Sequence, residues 1–170
     1  IVQCESRFGL PQDALILGAL GNIRPAKDYK NAISALALLT NTSEFSDRPI
    51  HFVIAGHIKK DLHFNLLKHA NDLGVADKIH FLGFQQDTAA YLACIDMFVL
   101  SSKSEGFSIA TIEAMAAEKP VVATRCGGPE EILTHSVNGH LVAAENSAAL
   151  ADGLRYLISQ PHYANQLVIA

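Results

Sequence analysis

A chain of 170 residues, 49% hydrophobic and 18% charged, holds enough apolar material for one ordered domain with a substantial core. Its net charge of −4 excludes a general attraction to nucleic acid or to an anionic membrane, although a local cationic pocket would still hold a small anion. No apolar run is long enough to span a membrane and no signal-peptide pattern is present, so a cytoplasmic protein is expected. Cys4, Cys94 and Cys126 are far apart and odd in number, with no C-x-x-C, which points to a reducing compartment. None of the eight histidines forms an H-x-x-x-H pair, and no metal site is expected.

In chain order, residues 1–13 read as a linker or incoming connection and 14–170 as one domain. "ALILGAL" (14–20) is the first strand candidate. "GNIRPAK" follows, and "KDYKNAISALALLT" then aligns Ile33, Leu36, Ala37 and Thr40 on one helical stripe. "IHFVIAG" (50–56) is the second strand. "LHFNLLKHANDLG" is a second helix, with Leu62, Leu66, His69 and Leu73 on its stripe and Gly74 at its end. The pattern repeats with strands at 78–83, 96–102, 120–125 and 139–144, and helices near 87–94, 108–118, 128–134 and 147–159. The strands are dense in Val, Ile, Leu and Phe with little polar alternation, as suits strands covered on both faces. Strict alternation with helices implies parallel strands and right-handed crossovers. The expected fold is α/β: a doubly wound, mostly parallel six-stranded Rossmann-like sheet with helices on both faces. The chain starts at Ile1 and stops in the helix-like "NQLVIA", so it reads as a piece of a longer protein.

Ligands in such sheets bind beyond the carboxyl ends of the strands. Three connections there carry chemistry: "GNIRPAK", "SSKSEGFS" and "RCGGPEE". In the second, a buried strand ends at Ser101 and Ser102, Gly106 permits a tight turn, and a helix begins near Ser108. Free N–H groups and the helix dipole make that start an anion site, while Ser108 is also a plausible N-cap. Glu105 stands at the mouth of this loop. Glu113, the one charged residue from 106 to 117, lies roughly 7 Å further along the helix axis. A ligand with phosphates at the helix start could present hydroxyl groups to both carboxylates, which accept strongly from sugar hydroxyls. The plainer alternative makes Glu113 a solvent-facing helix residue. Arg24 and Lys27 could neutralise a diphosphate in the same cleft, or be ordinary surface cations. In "CGGPEEI", helix capping accounts for Gly127, Gly128, Pro129 and the two glutamates. Phe84 and Gln85 are candidates for the rim of a base pocket. G-x-G-x-x-G is absent, which argues against a nicotinamide enzyme.

Together, "EGFSIATIEAMAAEKPVVATRCGGPEEI", "VNGHLVAAEN" and "GNIRPAK" resemble the carboxy-terminal, nucleotide-sugar-binding half of retaining glycosyltransferases of family 4, with the GT-B fold. The likeness runs from about Ala14 to Leu157, and Glu105 and Glu113 match the family's E-x7-E pair. It implies transfer of a hexosyl group from a nucleoside diphosphate sugar with retention of configuration and no metal or other cofactor. It implies that Glu105 is catalytic, that Glu113 holds the ribose, and that Arg24, Lys27, Gly106, Phe107 and Ser108 bind the donor. The acceptor, a glycan, lipid or small molecule, would be held by an amino-terminal domain outside this chain. That enzyme could associate peripherally with a membrane, and the isolated fragment would be inactive. Two departures stand out. The family usually has Arg where this chain has Asn22, and Gly shortly before "PVV", where this chain has Glu118 and Lys119. Rival readings are a nucleotide-sugar epimerase of the same fold and a non-catalytic nucleotide-sugar-binding module.

Overall fold

The computed structural model describes residues 4–169. Six strands, β1 (Leu15–Leu20), β2 (Ile50–Ala55), β3 (Ile79–Gly83), β4 (Met97–Leu100), β5 (Val121–Arg125) and β6 (His140–Ala143), form one sheet in the order β3-β2-β1-β4-β5-β6. Every pairing is parallel. Each strand lies within two residues of its expected span at either end.

The apolar runs are continuous because the sheet is buried on both sides. Leu15, Leu17, Ala19, Phe52 and Ile54 face one core, and Ile16, Val53 and Ala55 face the other. The first core is closed by α2 (Tyr29–Thr40), α3 (Lys60–Asp72), α7 (Ser147–Ser159) and α8 (Pro161–Ile169), through Ile33, Leu36, Leu66, Leu150, Leu154 and Leu167. The second is closed by α1 (Cys4–Phe8), α4 (Thr88–Ala93), α5 (Ile109–Ala116) and α6 (Gly128–Ile132), through Phe8, Tyr91, Leu92 and Ala114. Side-chain caps start two of these helices: Asp87 accepts from the Ala90 N–H at 2.9 Å, and Asn146 from the Ala149 N–H at 2.9 Å.

Three details differ from the sequence reading. α2 begins at Tyr29 rather than at Lys27, because Pro25–Lys27 form a 3-10 turn of their own. Within the stretch read as a connection, residues 4–8 are helical and Phe8 is buried; residues 1–3 lie outside the described residues. The third difference corrects the expectation of reduced cysteines: Cys4 and Cys94 form a disulfide. Ninety residues separate them in sequence, yet α1 docks beside α4 and brings their Cα atoms to 5.5 Å. Cys126 is the free thiol. Among the described residues, no helix is long and apolar enough to cross a membrane.

β1 and β4 are neighbours at the centre of the sheet, but the chain leaves β1 toward β2 and leaves β4 toward β5. Their following connections therefore diverge and open a crevice, the topological switch point of a doubly wound sheet.

Candidate functional site

Beyond β1 the chain crosses the sheet end through an extended Arg24 (φ −136°, ψ 155°) and the Pro25–Lys27 turn, whose proline presets φ. This turns Lys27 toward the connection after β4. Its Nζ lies 2.8 Å from Glu105 Oε2, and its carbonyl accepts the Ser101 hydroxyl at 2.8 Å. The same Glu105 oxygen accepts the Ser102 hydroxyl at 2.8 Å. Both charged side chains are only 17% exposed, so the pair is shielded from the screening that weakens surface ion pairs. Beneath it, the Tyr29 hydroxyl donates to the Gly21 carbonyl at 2.9 Å. Burial, reinforced by the Glu105 charge, pushes the Tyr29 phenol well above its ordinary value.

The backbone of Glu105 is fixed from the β5–α6 connection. Its N–H donates to the Cys126 carbonyl at 3.1 Å, and its carbonyl accepts the Gly128 N–H at 3.0 Å. A Cβ on Gly128 would overlap the Gly106 carbonyl oxygen. Capping is therefore an incomplete account of "CGGPEEI". Glu130 does accept from the Gly127 N–H at 3.1 Å, but Gly128 is also where two backbones meet too closely for a side chain.

Ser108 does not cap α5. Its Oγ pairs with Thr111 Oγ1 at 2.8 Å in a buried contact. The N–H groups of Phe107, Ser108, Ile109 and Ala110 find no protein acceptor among the described residues, so the positive end of the helix dipole is uncompensated. Glu113 is half-buried on α5, and its Oε1 accepts only a long 3.4 Å bond from Thr88. The open side of α5 is apolar instead, with Ile109 and Ile112 exposed. The solvent-face alternative for Glu113 thus loses its premise: this carboxylate lines the cleft.

Arg24, Lys27, Glu105, Phe107, Ser108 and Glu113 line one cleft of ≈ 370 Å³ at the switch point. Gly106 lies behind it, against Gly128. Arg24 is exposed and forms no ion pair among the described residues. Asn22 is committed elsewhere: its Oδ1 accepts the His57 N–H at 3.0 Å and ties the β1 connection to that after β2. Phe84 and Gln85 do not line the cleft. Phe84 stacks on His57 at 4.7 Å between ring centres, and Gln85 donates to the Leu82 carbonyl at 2.9 Å. Sequence reasoning missed Ser101, Ser102, Tyr29 and Gly128 as supports of the Lys27–Glu105 pair. The two serines closing a buried strand were the one available signal.

Fold and cleft define an α/β protein with a charged cleft at the carboxyl end of a parallel sheet. The chain belongs to the glycosyl transferases group 1 family, whose profile matches residues 5–170. It is 33% identical over 170 residues to a D-inositol 3-phosphate glycosyltransferase of Frankia alni, covering 97% of this chain and 42% of that protein. Its fold is similar to HepE of Anabaena in complex with UDP and glucose, with a TM-score of 0.88 and 26% identity over 98% of this chain and 44% of that one. It is also similar to the C-terminal domain of LpcC from Francisella tularensis, with a TM-score of 0.79 and 28% identity, covering 91% of this chain and 80% of that one. The chain thus spans well under half the length of the curated relatives it matches.

Proposed function

We propose that this chain is the donor-binding half of a retaining, family 4-type hexosyltransferase that takes a sugar from a nucleoside diphosphate sugar without a metal. The observation that carries this reading is the convergence of Lys27, Glu105, Glu113 and the unpartnered start of α5 on one cleft. HepE, whose structures hold UDP with glucose or UDP-glucose, supports a nucleotide-sugar donor. An acceptor glycan, lipid or small molecule would come from a partner domain across the cleft.

In this reading the diphosphate lies against the Phe107–Ala110 amides, Glu113 accepts from the ribose hydroxyls, and the sugar lies toward Glu105. Lys27 is neutralised by Glu105. An entering diphosphate gives Lys27 a second anion, while the Ser102 hydroxyl keeps the Glu105 carboxylate in place. As the bond from the anomeric carbon to the diphosphate oxygen breaks, negative charge grows on the leaving group. Lys27, Arg24 and the helix amides line the cleft where it would grow. Positive charge grows on the sugar ring, where the Glu105 carboxylate opposes it.

The test is a titration of the chain with UDP, GDP and ADP and the matching nucleosides. Glu113→Gln removes charge-assisted hydrogen bonds of about 1.5–3 kcal/mol and lowers diphosphate and nucleoside affinity by about ten-fold or more. Lys27→Ala weakens the diphosphate far more than the nucleoside. Unchanged affinity in Glu113→Gln, or equal losses for both ligands in Lys27→Ala, would overturn the assignments. Retention is checked separately, by the anomeric configuration of the product made by the full-length enzyme.

A further inference from the structure

The connection after β1 is a ridge with a cleft on each side. The second groove runs between this ridge and α3, and its floor is apolar: Ile23, Leu62 and Leu66. Its two parts measure ≈ 260 Å³ and ≈ 390 Å³ and share Arg24. Arg24, Lys30 and Lys103 line the first part, with Asn65 and a single carboxylate, Asp28. Arg24, Lys59 and His57 line the second.

The distribution of charge makes this more than a solvated face. Of the thirteen Lys and Arg residues, Arg7, Lys27, Arg48, Lys68, Arg125 and Arg155 form ion pairs. Those without an ion pair among the described residues include Arg24, Lys30, Lys59, Lys60 and Lys103, all on connections or first helical turns at the carboxyl end of the sheet. Four of them line one groove against one carboxylate, in a chain whose net charge is −4. Like charges gathered in a concave site repel one another unless an anion joins them, and a concave wall focuses their field. Tyr29 does not supply the missing partner, because its hydroxyl is bonded to the Gly21 carbonyl. Lys103 is held at the groove by its own backbone, whose N–H donates to the Ala26 carbonyl at 2.9 Å.

The geometry points to a second anion site in this groove, separate from the donor cleft, that takes a phosphomonoester. The phosphate sits among Arg24, Lys30 and Lys103, and the ester's organic part lies on Ile23, Leu62 and Leu66. Arg24 belongs to both clefts, so a phosphate here stands beside the proposed diphosphate. The groove's own lining carries this site independently of the donor-cleft reading. An ester fits better than a bare ion because half of the lining is apolar and gains nothing from inorganic phosphate.

The experiment is an NMR titration of the chain with butyl phosphate, inorganic phosphate and butanol, followed at Asn65, Leu62 and Lys103. Saturable binding of the ester at these residues is expected, tighter than inorganic phosphate, with no saturable response to butanol. In the Lys30→Gln/Lys103→Gln variant, ester affinity falls about ten-fold while UDP affinity stays within about two-fold. These two lysines are outside the donor cleft and exposed, so the variant is expected to fold, which its amide spectrum checks. No saturable ester binding, ester binding unchanged in the variant, or equal affinity for inorganic phosphate would each overturn the proposal. A parallel loss of UDP affinity would assign these cations to the donor instead. If UDP fails to bind the wild type at all, the donor-cleft reading fails, while the ester titration still scores the groove.

Discussion

The two ends of the sheet make opposite use of their polar groups. At the amino end lies a cavity of ≈ 820 Å³, larger than the cleft at the carboxyl end, lined by Cys4, Cys94, Arg48, Asp96 and Lys119 among others. Its groups are largely satisfied. Cys4 is bonded to Cys94, Arg48 lies 3.3 Å from Asp96, and Asp96 also accepts the Ile16 N–H at 2.7 Å. Lys119 stands near Asp96 and Glu118, and burial lowers its pKa. At the carboxyl end the cavities are smaller, yet helix amides and exposed cations lack partners among the described residues. Volume alone does not mark a site. The proposed one rests on the uncompensated charge at the carboxyl end, which an anionic ligand would meet.

If the amino end holds the fold and the carboxyl end holds the ligand, the two can be perturbed separately. The largest effect is expected from Cys4→Ser/Cys94→Ser. Opening a bridge between residues so distant in sequence lowers stability by about 2–4 kcal/mol in chemical denaturation, with UDP affinity nearly unchanged. A matching fall in affinity would show that the ends are coupled. Next comes Gly128→Ala, which forces the Gly106 carbonyl aside, costs about 1–3 kcal/mol, and displaces Glu105 and the start of α5. Here stability and UDP affinity fall together. Gly106→Ala is the control, since its Cβ would meet nothing within 4 Å. Equal behaviour of the two variants would remove the close-approach argument.

A smaller effect, at the amino end of the sheet, is expected from acid. Burial lowers the pKa of His51, His80 and His140, and the first two are also bonded ring to ring at 2.9 Å. Below the ordinary value of about 6.5 the unfolded chain binds protons that these native imidazoles refuse. Stability is therefore full above that pH and declines as the pH falls from it toward their lowered native values. A urea midpoint that stays flat or rises on acidification over this window would contradict the sign. His51→Gln/His80→Gln shallows the decline. The smallest expected effect is a gain. Glu118 ends α5 in the left-handed region at φ 56°, with the Lys119 N–H bonded to the Ala114 carbonyl at 3.0 Å. Glu118→Gly relieves this strain and adds up to about 1 kcal/mol to stability, with no change in ligand affinity.

The sequence by itself determined the sheet and its polarity. Runs such as "ALILGAL" and "IHFVIA" are apolar at consecutive positions, and only a strand buried on both faces satisfies that pattern. Alternation with amphipathic helices then made the strands parallel and placed the ligand end at their carboxyl termini. Glu113 was legible as the one charged residue in a small, apolar stretch, and Lys27 and Glu105 because they stand on the connections at that end. What tertiary structure alone decided were the partners. Lys27 and Glu105 are 78 residues apart, and Cys4 and Cys94 are 90 apart. Local pattern carries no information about which loops or helices dock together at such separations. The role of Gly128 was hidden for a related reason: a glycine needed for close approach reads, in sequence, the same as one that caps a helix. The groove of Arg24, Lys30, Lys59 and Lys103 was hidden too, because its cations come from three connections and the first turn of α2 and become one charged surface only when the sheet aligns them.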